Sequence, residues 1–188
     1  MGTRSISSPT FTATMTANIR NTVNSDAQTP SVQQGQTLSD TFTSGTTDSK
    51  FDRFWESRGR TISGAGSENL DLYDLGSIDI GAGAGLDAVG QSWTVAEIVG
   101  IQIAVTSDSV GSLYVGGVNA TTAFQSMFHS NGSLDDAAGI VLPPGANFQI
   151  WTTNDPGWAV ADTSNHLLKM AAVGGDVEYS IAVAARSA

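Results

Sequence analysis

The sequence predicts an all-β fold, an antiparallel β-sandwich of jelly-roll type preceded by an extended N-terminal arm. Short apolar segments with period-two alternation recur from residue 57 to the C-terminus. Turns rich in Gly, Asn, Asp and Ser separate these segments, and about eight to ten strands result. No segment is long enough for the crossover helices that a parallel sheet requires. We therefore expect residues 51–188 to form the sandwich body and residues 1–50 the arm.

The arm contains one clear strand signal. Over Thr10–Arg20 apolar residues alternate with threonines, which places Phe11, Ala13, Met15, Ala17 and Ile19 on one face. Polar residues 21–35 separate this segment from the rest of the chain. Because a single strand is not stable in water, we expect it to pair with the body, a neighbouring subunit or a partner. The alternative is an unstructured leader.

The first half of the body contains several predicted elements. Phe51, Phe54 and Trp55 have spacings of three and four, which allows a short helical turn, and residues 58–63 follow as an extended segment. Residues 68–75 alternate, with three leucines on the inward face: Leu70, Leu72 and Leu75. Residues 93–106 form a long apolar run with strand-like alternation from Ile101 onward.

The second half of the body alternates turns with short strands. Residues 112–117 predict a strand, and residues 121–129 a helix of two turns. Pro143, Pro144 and Gly145 predict a hairpin turn between strands at 140–142 and 147–153. A short strand follows at 158–161. Gly174 and Gly175 predict a last hairpin between strands at 167–173 and 177–184.

Composition excludes several classes of function. The chain has 188 residues, a net charge of −10 and no cysteine. A nucleic-acid or anionic-membrane partner is not expected, because either would require clustered Lys and Arg. A disulfide scaffold is excluded. We see neither a signal peptide nor a run of 18 apolar residues, so we expect folding in a reducing cytoplasm.

Residues with catalytic or metal-binding chemistry are scattered. His129 and His166 lie far apart, and a zinc site needs three or four ligands. The carboxylates fall into two groups whose spacing fits a solvated strand face or a loop better than calcium binding or acid–base catalysis: Asp71, Asp74 and Asp79, and Asp135 with Asp136. The glycines of residues 81–85 lack the strand and helix of a dinucleotide loop. We expect no enzyme activity, cofactor or metal.

Aromatic and basic residues mark a candidate interface. Four of the eight basic residues lie in residues 50–60, beside Trp55. Arg and Trp are enriched in interface hot spots, which favours a partner contact. The alternative is internal salt bridges to Glu56, Glu68 or Asp71. Together with the arm, the predicted interface residues are Phe11, Met15, Ile19, Arg53, Phe54, Trp55, Arg58 and Arg60. The four tryptophans allow a further alternative, a carbohydrate site.

Several short motifs resemble a known group of proteins. They are Thr43, Gly45, Thr46 and Asp48; Asp52, Arg53, Phe54 and Trp55; and the segments 57–61, 67–72, 113–117, 143–148 and 177–181. In this pattern the chain resembles small β-rich structural proteins of tailed bacteriophages. The resemblance covers roughly residues 40–184 and carries no catalytic signature.

The resemblance implies a non-enzymatic virion protein. It favours a head decoration, or cement, protein that binds the major capsid protein on the outer shell and self-associates, with a trimer favoured. Such a protein is made in the host cytoplasm and ends up on the capsid exterior. The alternatives are a tail, neck or fibre-tip protein and a carbohydrate-binding jelly-roll module. No site residue transfers from the group, because its motifs describe a fold.

Overall fold

The computed structural model describes residues 7, 9–20, 31–75, 92–93, 95–116, 122–124, 127–128 and 139–188. Within residues 16–20 and 31–35 it describes the backbone alone. The described part of the chain contains strands, turns and bends but no α-helix. Among the described residues there is therefore no helix long and apolar enough to cross a membrane.

Two strands form an N-terminal hairpin, and nine more form the body. The hairpin strands are β1 (Thr10–Arg20) and β2 (Ser31–Thr41), paired antiparallel along their full length. The body strands are β3 (Arg53–Ile62), β4 (Ser67–Asp71), β5 (Val95–Val105), β6 (Ser112–Gly116), β7 (Gly139–Leu142), β8 (Asn147–Trp151), β9 (Trp158–Ala159), β10 (Leu167–Val173) and β11 (Val177–Ser187).

The body is a two-sheet jelly roll, which confirms the predicted fold class. The four-stranded sheet has the order β4-β10-β6-β7, and the five-stranded sheet has the order β3-β11-β5-β8, with β9 also paired to β5. All these pairs are antiparallel. The consecutive pairs β3–β4, β5–β6, β7–β8 and β10–β11 each place one strand in either sheet, as in a jelly roll.

The core lies between the two sheets and follows from the alternation in the central strands. In β10 every second side chain is buried, and β11 buries Val177, Tyr179, Ile181 and Val183 on one face. A bulge interrupts β5, where Ala184 pairs with Gly100 but Ala185 pairs with Ile98. The extra residue sends Ile98 and Ile101 into the core and leaves Val99 on the outer face.

The two turns that were predicted to form hairpins instead connect one sheet to the other. The turns form as predicted, with φ of 77° at Gly145 and 81° at Gly174. However, β7 and β10 belong to the four-stranded sheet, whereas β8 and β11 belong to the five-stranded sheet. A glycine with positive φ reverses the chain but does not choose the sheet that the next strand joins. The sheet that the next strand joins is determined by burial of the apolar faces of the two sheets against each other.

Both helical expectations are also wrong. Residues 53 and 55 lie in β3, where pairing with β11 supplies the backbone hydrogen bonds. In the segment 121–129, the described residues form turns and one bridge, from Ala123 to Leu167. The amide of Phe124 donates to the Leu167 carbonyl at 2.9 Å, and its ring is buried in the core. Tertiary pairing has overridden the weak local helical pattern.

The arm contains two strands rather than the one strand predicted. Pairing runs from Thr10 opposite Thr41 to Arg20 opposite Ser31. Strand β2 carries only two large apolar residues, Val32 and Leu38, so its hydrophobic pattern is too weak to predict a strand. The first strand therefore finds its partner within its own arm.

Candidate functional site

The hairpin has one polar face and one apolar face. On the polar face, hydroxyl groups bond across the strands, Thr12 to Ser39 at 3.1 Å and Thr14 to Thr37 at 3.3 Å. The other face, here called the apolar hairpin face, is formed by Phe11, Ala13, Met15 and Leu38, which the strand register places together. Met15 is 74% exposed and Leu38 is 53% exposed. The hairpin thus presents an apolar strip to solvent.

An aromatic cluster joins the hairpin to the outer face of the five-stranded sheet. This root cluster consists of Phe42, Phe51, Val99 and Ala184, with Phe11, Phe54 and Trp151 packed against them. The Phe11 ring stacks on Trp151 at 5.8 Å between centroids and meets Phe42 edge-on at 5.5 Å. Such pairs each contribute about 0.5–1.5 kcal/mol beyond their area. The first residues of the hairpin are therefore firmly seated.

Backbone hydrogen bonds hold the root in the same place. The Phe42 amide donates to the Pro9 carbonyl at 2.8 Å, and the Ser49 amide donates to the Thr153 carbonyl at 2.7 Å. The Trp151 indole nitrogen donates to the Asp40 carboxylate at the end of β2. Strand β2 and the loop that follows it are thus tied to the β8 end of the five-stranded sheet.

A buried ion pair lies beneath the root. Arg186 Nη1 donates to Glu97 Oε1 at 2.6 Å and to the Asn154 carbonyl at 2.9 Å, while its Nε donates to the Lys50 carbonyl at 2.8 Å. Glu97 also accepts from the Gly157 amide. Arg186 is 1% exposed. This one guanidinium joins the loop after the hairpin to two elements of the body.

The predicted interface residues of the basic, aromatic segment, residues 50–60, lie in different environments in the structure. Trp55 is 0% exposed in the core, so its prediction as an interface residue is corrected. The reason is its inward position in β3, opposite Val183. Phe54 points outward and packs against the root cluster. Arg53 donates to the Ser92 carbonyl at 2.8 Å and to Asp52.

Internal salt bridges, the alternative for this segment, are found for all three of its arginines, and Arg53 pairs with Asp52 at 2.8 Å. Arg58 pairs with Glu56 at 3.2 Å, and its side chain is 79% exposed. Arg60 pairs with Glu68 across the gap between β3 and β4. Arg60 is therefore a structural residue, whereas Arg58 retains an accessible guanidinium. Met15 and Phe11 lie on the apolar hairpin face, and Ile19 lies further along β1, where only the backbone is described.

Arg60, Glu68 and Tyr179 form a hydrogen-bonded cluster at one edge of the sandwich. The Tyr179 hydroxyl donates to Glu68 Oε1 at 2.6 Å, and Arg60 Nε donates to the Tyr179 oxygen at 3.2 Å. Burial and the bond to Glu68 raise the pKa of Tyr179 far above its usual value. Burial alone would raise the pKa of Glu68, but hydrogen bonds from Arg60 and Tyr179 lower it.

Two adjoining clefts lie on the outer face of the five-stranded sheet. The larger, of about 320 Å³, lies beside the root and is lined by Phe11, Phe51, Phe54 and Ala184 among others. The smaller, of about 200 Å³, is lined by Glu56, Arg58, Ala104 and Ser180 among others. Gln102 and Ala182 line both clefts, so the two are neighbours. This face is shallow because its central residues are small.

The residues considered for catalysis or metal binding do not assemble in the part of the chain that the structure covers. Its described residues hold no group of three or more metal-ligating side chains. His166 is buried with Nε2 3.8 Å from Asp71, and Asp71 Oδ1 accepts the amides of Tyr73 and Asp74. Outside the described residues lie His129, Asp79, Asp135, Asp136 and the glycines of residues 81–85.

A third cleft lies at the end of the sandwich where the sheet-to-sheet turns gather. It has a volume of about 390 Å³, and its lining includes Asp108, Asp176 and Glu178. Asp176 Oδ1 accepts the Gly64 amide at 2.6 Å, and the Asp176 carbonyl accepts the amides of Val110 and Gly111. Asp176 is thus engaged in holding these turns together.

The tryptophans do not form an open carbohydrate platform. Trp55 and Trp93 are buried, and the Trp93 indole donates to the Leu72 carbonyl at 3.1 Å. Trp151 is covered by Phe11, and Trp158 packs against the core. A sugar-binding site built on indole rings requires an accessible ring face. The described surface offers instead the apolar hairpin face and the clefts beside it.

Comparison with known proteins adds no further assignment. A scan against protein-family models finds no match, and a search of curated proteins finds no significant match.

Proposed function

We propose that this chain is a non-enzymatic structural protein of a tailed-phage virion. In this proposal it is a decoration, or cement, protein that binds the major capsid protein on the outside of the head and stabilises the shell. The observation that carries the proposal is the apolar hairpin face, which is anchored at its root and uncovered at Met15 and Leu38. A rigid body with an uncovered apolar extension is suited to assembly.

The composition of the chain is consistent with a protein that functions by attaching to the surface of a shell. The net charge of −10 keeps the body dispersed before assembly. Many copies on one particle convert weak single contacts into strong overall attachment. A shell therefore needs no deep binding pocket in each copy, and shallow clefts beside an extended hairpin are sufficient. The motif resemblance to tailed-phage structural proteins favours the head surface as the location.

Co-sedimentation with shells tests the proposal. Purified protein is mixed with undecorated capsids and pelleted over a range of salt concentrations, and we expect it to pellet with them. Met15→Asp is expected to reduce pelleting, because copies that associate poorly lose the avidity of multivalent attachment. Thr14→Asp, with the same charge on the polar face, is expected to pellet as wild type does. Absence of wild-type protein from the pellet at every salt concentration overturns the proposal.

Location on the particle distinguishes a head protein from a tail protein. Immunogold labelling of intact virions is expected to place label on the head. Label confined to the tail, neck or fibre tips replaces the decoration role with one of those roles. We do not extend the proposal to carbohydrate binding, because each described tryptophan is buried or packed against neighbours.

A further inference from the structure

The apolar hairpin face is uncovered beyond the root cluster that anchors it. Eleven residues at about 3.3 Å each make strands of about 36 Å. The aromatic packing holds the root at Phe11, yet four residues further along β1 Met15 is largely exposed. A two-stranded ribbon is at best marginally stable in water. The hairpin therefore needs a second layer over its apolar face.

The outer face of the five-stranded sheet has complementary properties. Beside the root cluster, its central positions carry small or uncharged side chains, which allow a second β-layer to approach closely: Gln102, Ala104, Ser180 and Ala182. The two clefts adjoin along this face and are separated by Gln102 and Ala182. On the hairpin, Met15 and Leu38 project as two apolar side chains on diagonal positions of the ladder. The two projecting side chains of the hairpin thus match the two clefts of the sheet face in number.

We infer that the apolar hairpin face of one copy docks on the outer face of the five-stranded sheet of a second copy of this chain. Phe11 belongs to the hairpin face and also lines the larger cleft, so the two surfaces are continuous within one copy. Each copy therefore offers one hairpin and one sheet face side by side. The inference deepens the self-association that forms part of the proposed function, and it rests on that proposal only in treating the chain as an assembly subunit.

Interface area favours this arrangement over hairpins that pair with each other. A two-stranded face of this length covers about 350 Å², so two hairpins face to face would bury only about 700 Å². Stable interfaces bury about 1,200–2,000 Å² in total. In a ring each copy contributes its hairpin to one neighbour and a matching area of its sheet face to the other, so each copy buries about 700 Å², against about 350 Å² in a hairpin-to-hairpin dimer.

The symmetry of the contact follows from its two unlike surfaces. A hairpin that docks on a sheet face is a head-to-tail contact, and such contacts form a ring where the rotation between copies closes. The contact itself contains few charges, while the chain as a whole carries −10. Repulsion between copies is screened by salt, so association should strengthen as ionic strength rises.

Analytical ultracentrifugation of the purified full chain, without shells, tests the inference. We expect wild-type protein to self-associate at concentrations up to about 0.1 mM and Met15→Asp to weaken association at least tenfold. Thr14→Asp, which adds the same charge on the polar face, should stay within twofold of wild type. On the sheet face, Ala182→Arg should weaken association as Met15→Asp does. Its control is Ala171→Arg, on the outward side of β10 in the other sheet.

Mixing the two defective variants gives the decisive measurement. Met15→Asp retains an intact sheet face and Ala182→Arg retains an intact hairpin, so together they should form a heterodimer that neither forms alone. A monomeric wild type at every salt concentration overturns the inference, as does an Ala182→Arg variant that associates normally. Circular dichroism checks folding, and Ala104→Arg replaces Ala182→Arg where the latter does not fold. Because no capsid is present, failure here is distinct from failure to bind shells.

Discussion

The ring of Phe11 lies against Gly100, with its Cζ atom 2.7 Å from the point that a β-carbon on residue 100 would occupy. A glycine in the middle of β5 normally weakens a strand, and here it makes room for the aromatic ring of the hairpin root. The bulge at Val99 lies beside it. Gly100 thus makes space for the hairpin root on the outer face of the five-stranded sheet.

Gly100→Ala is expected to loosen the hairpin root while leaving the body folded. The added methyl group displaces the Phe11 ring, which costs about 1–3 kcal/mol of packing. The measurement is cleavage by chymotrypsin after Phe11 and Phe42, which should become faster. Gly64→Ala is the control, since a β-carbon there would meet its neighbours at ordinary distances of 3.5 Å. Equal cleavage rates for the two variants would contradict packing of the Phe11 ring against Gly100.

Tyr179 should make the protein sensitive to alkali. Its folded pKa is raised, so the stability it contributes is complete below its unfolded pKa of about 10 and declines as pH rises further. The loss has a limiting slope of about 1.4 kcal/mol per pH unit. Urea unfolding of wild type and Tyr179→Phe between pH 8 and pH 11 measures it.

The Tyr179→Phe variant should be less stable at pH 8, by about 1–2 kcal/mol, because Glu68 loses a buried hydrogen bond. Above pH 10 its stability should fall less steeply than that of wild type. Tyr73→Phe, a half-buried tyrosine outside the cluster, serves as control. Parallel pH profiles for wild type and Tyr179→Phe would contradict the assigned raised pKa.

Glu68 should contribute stability at neutral pH that is lost in acid. Its folded pKa is lowered, so its contribution is present above its unfolded pKa and disappears as pH falls through the folded value. The side chain is partly exposed, so we expect Glu68→Gln to cost only about 1 kcal/mol at pH 7. The difference from wild type should shrink as pH falls below the unfolded pKa of a glutamate, about 4.3. Glu56→Gln, in the exposed pair with Arg58, should change stability less at every pH.

The sequence predicted the layers of the body well but not how the chain connects them. Alternation in β10 and β11 reports which side chains face inward, and that property is local. Whether β7 and β8 share a sheet depends on strands far away in sequence, since β6 and β5 provide their partners. A proline–glycine turn contains no information about those partners. The local sequence pattern therefore could not predict which strands pair with each other.

The prediction of Trp55 as an interface residue was wrong for a similar reason. Trp55 and Arg58 lie three residues apart, yet one is fully buried and the other largely exposed. Residue type alone favours both for an interface. The alternation of inward and outward positions along β3 places them on opposite faces of the sheet. The Arg186–Glu97 pair gave no sequence signal, because a single arginine near a C-terminus resembles any surface charge.

Removal of one partner from the Arg186–Glu97 pair should be the most destabilising charge change in the described body. Glu97→Ala leaves a buried guanidinium without its carboxylate, which costs about 3–5 kcal/mol. Arg186→Met combined with Glu97→Ala removes both charges and should recover part of that loss, so the double-mutant cycle completed by Arg186→Met alone gives a large coupling energy. Urea unfolding measures all variants, with the exposed Arg58→Ala as control at about 0–1 kcal/mol. If Glu97→Ala costs no more than Arg58→Ala, the guanidinium does not hold the loop after the hairpin to the body.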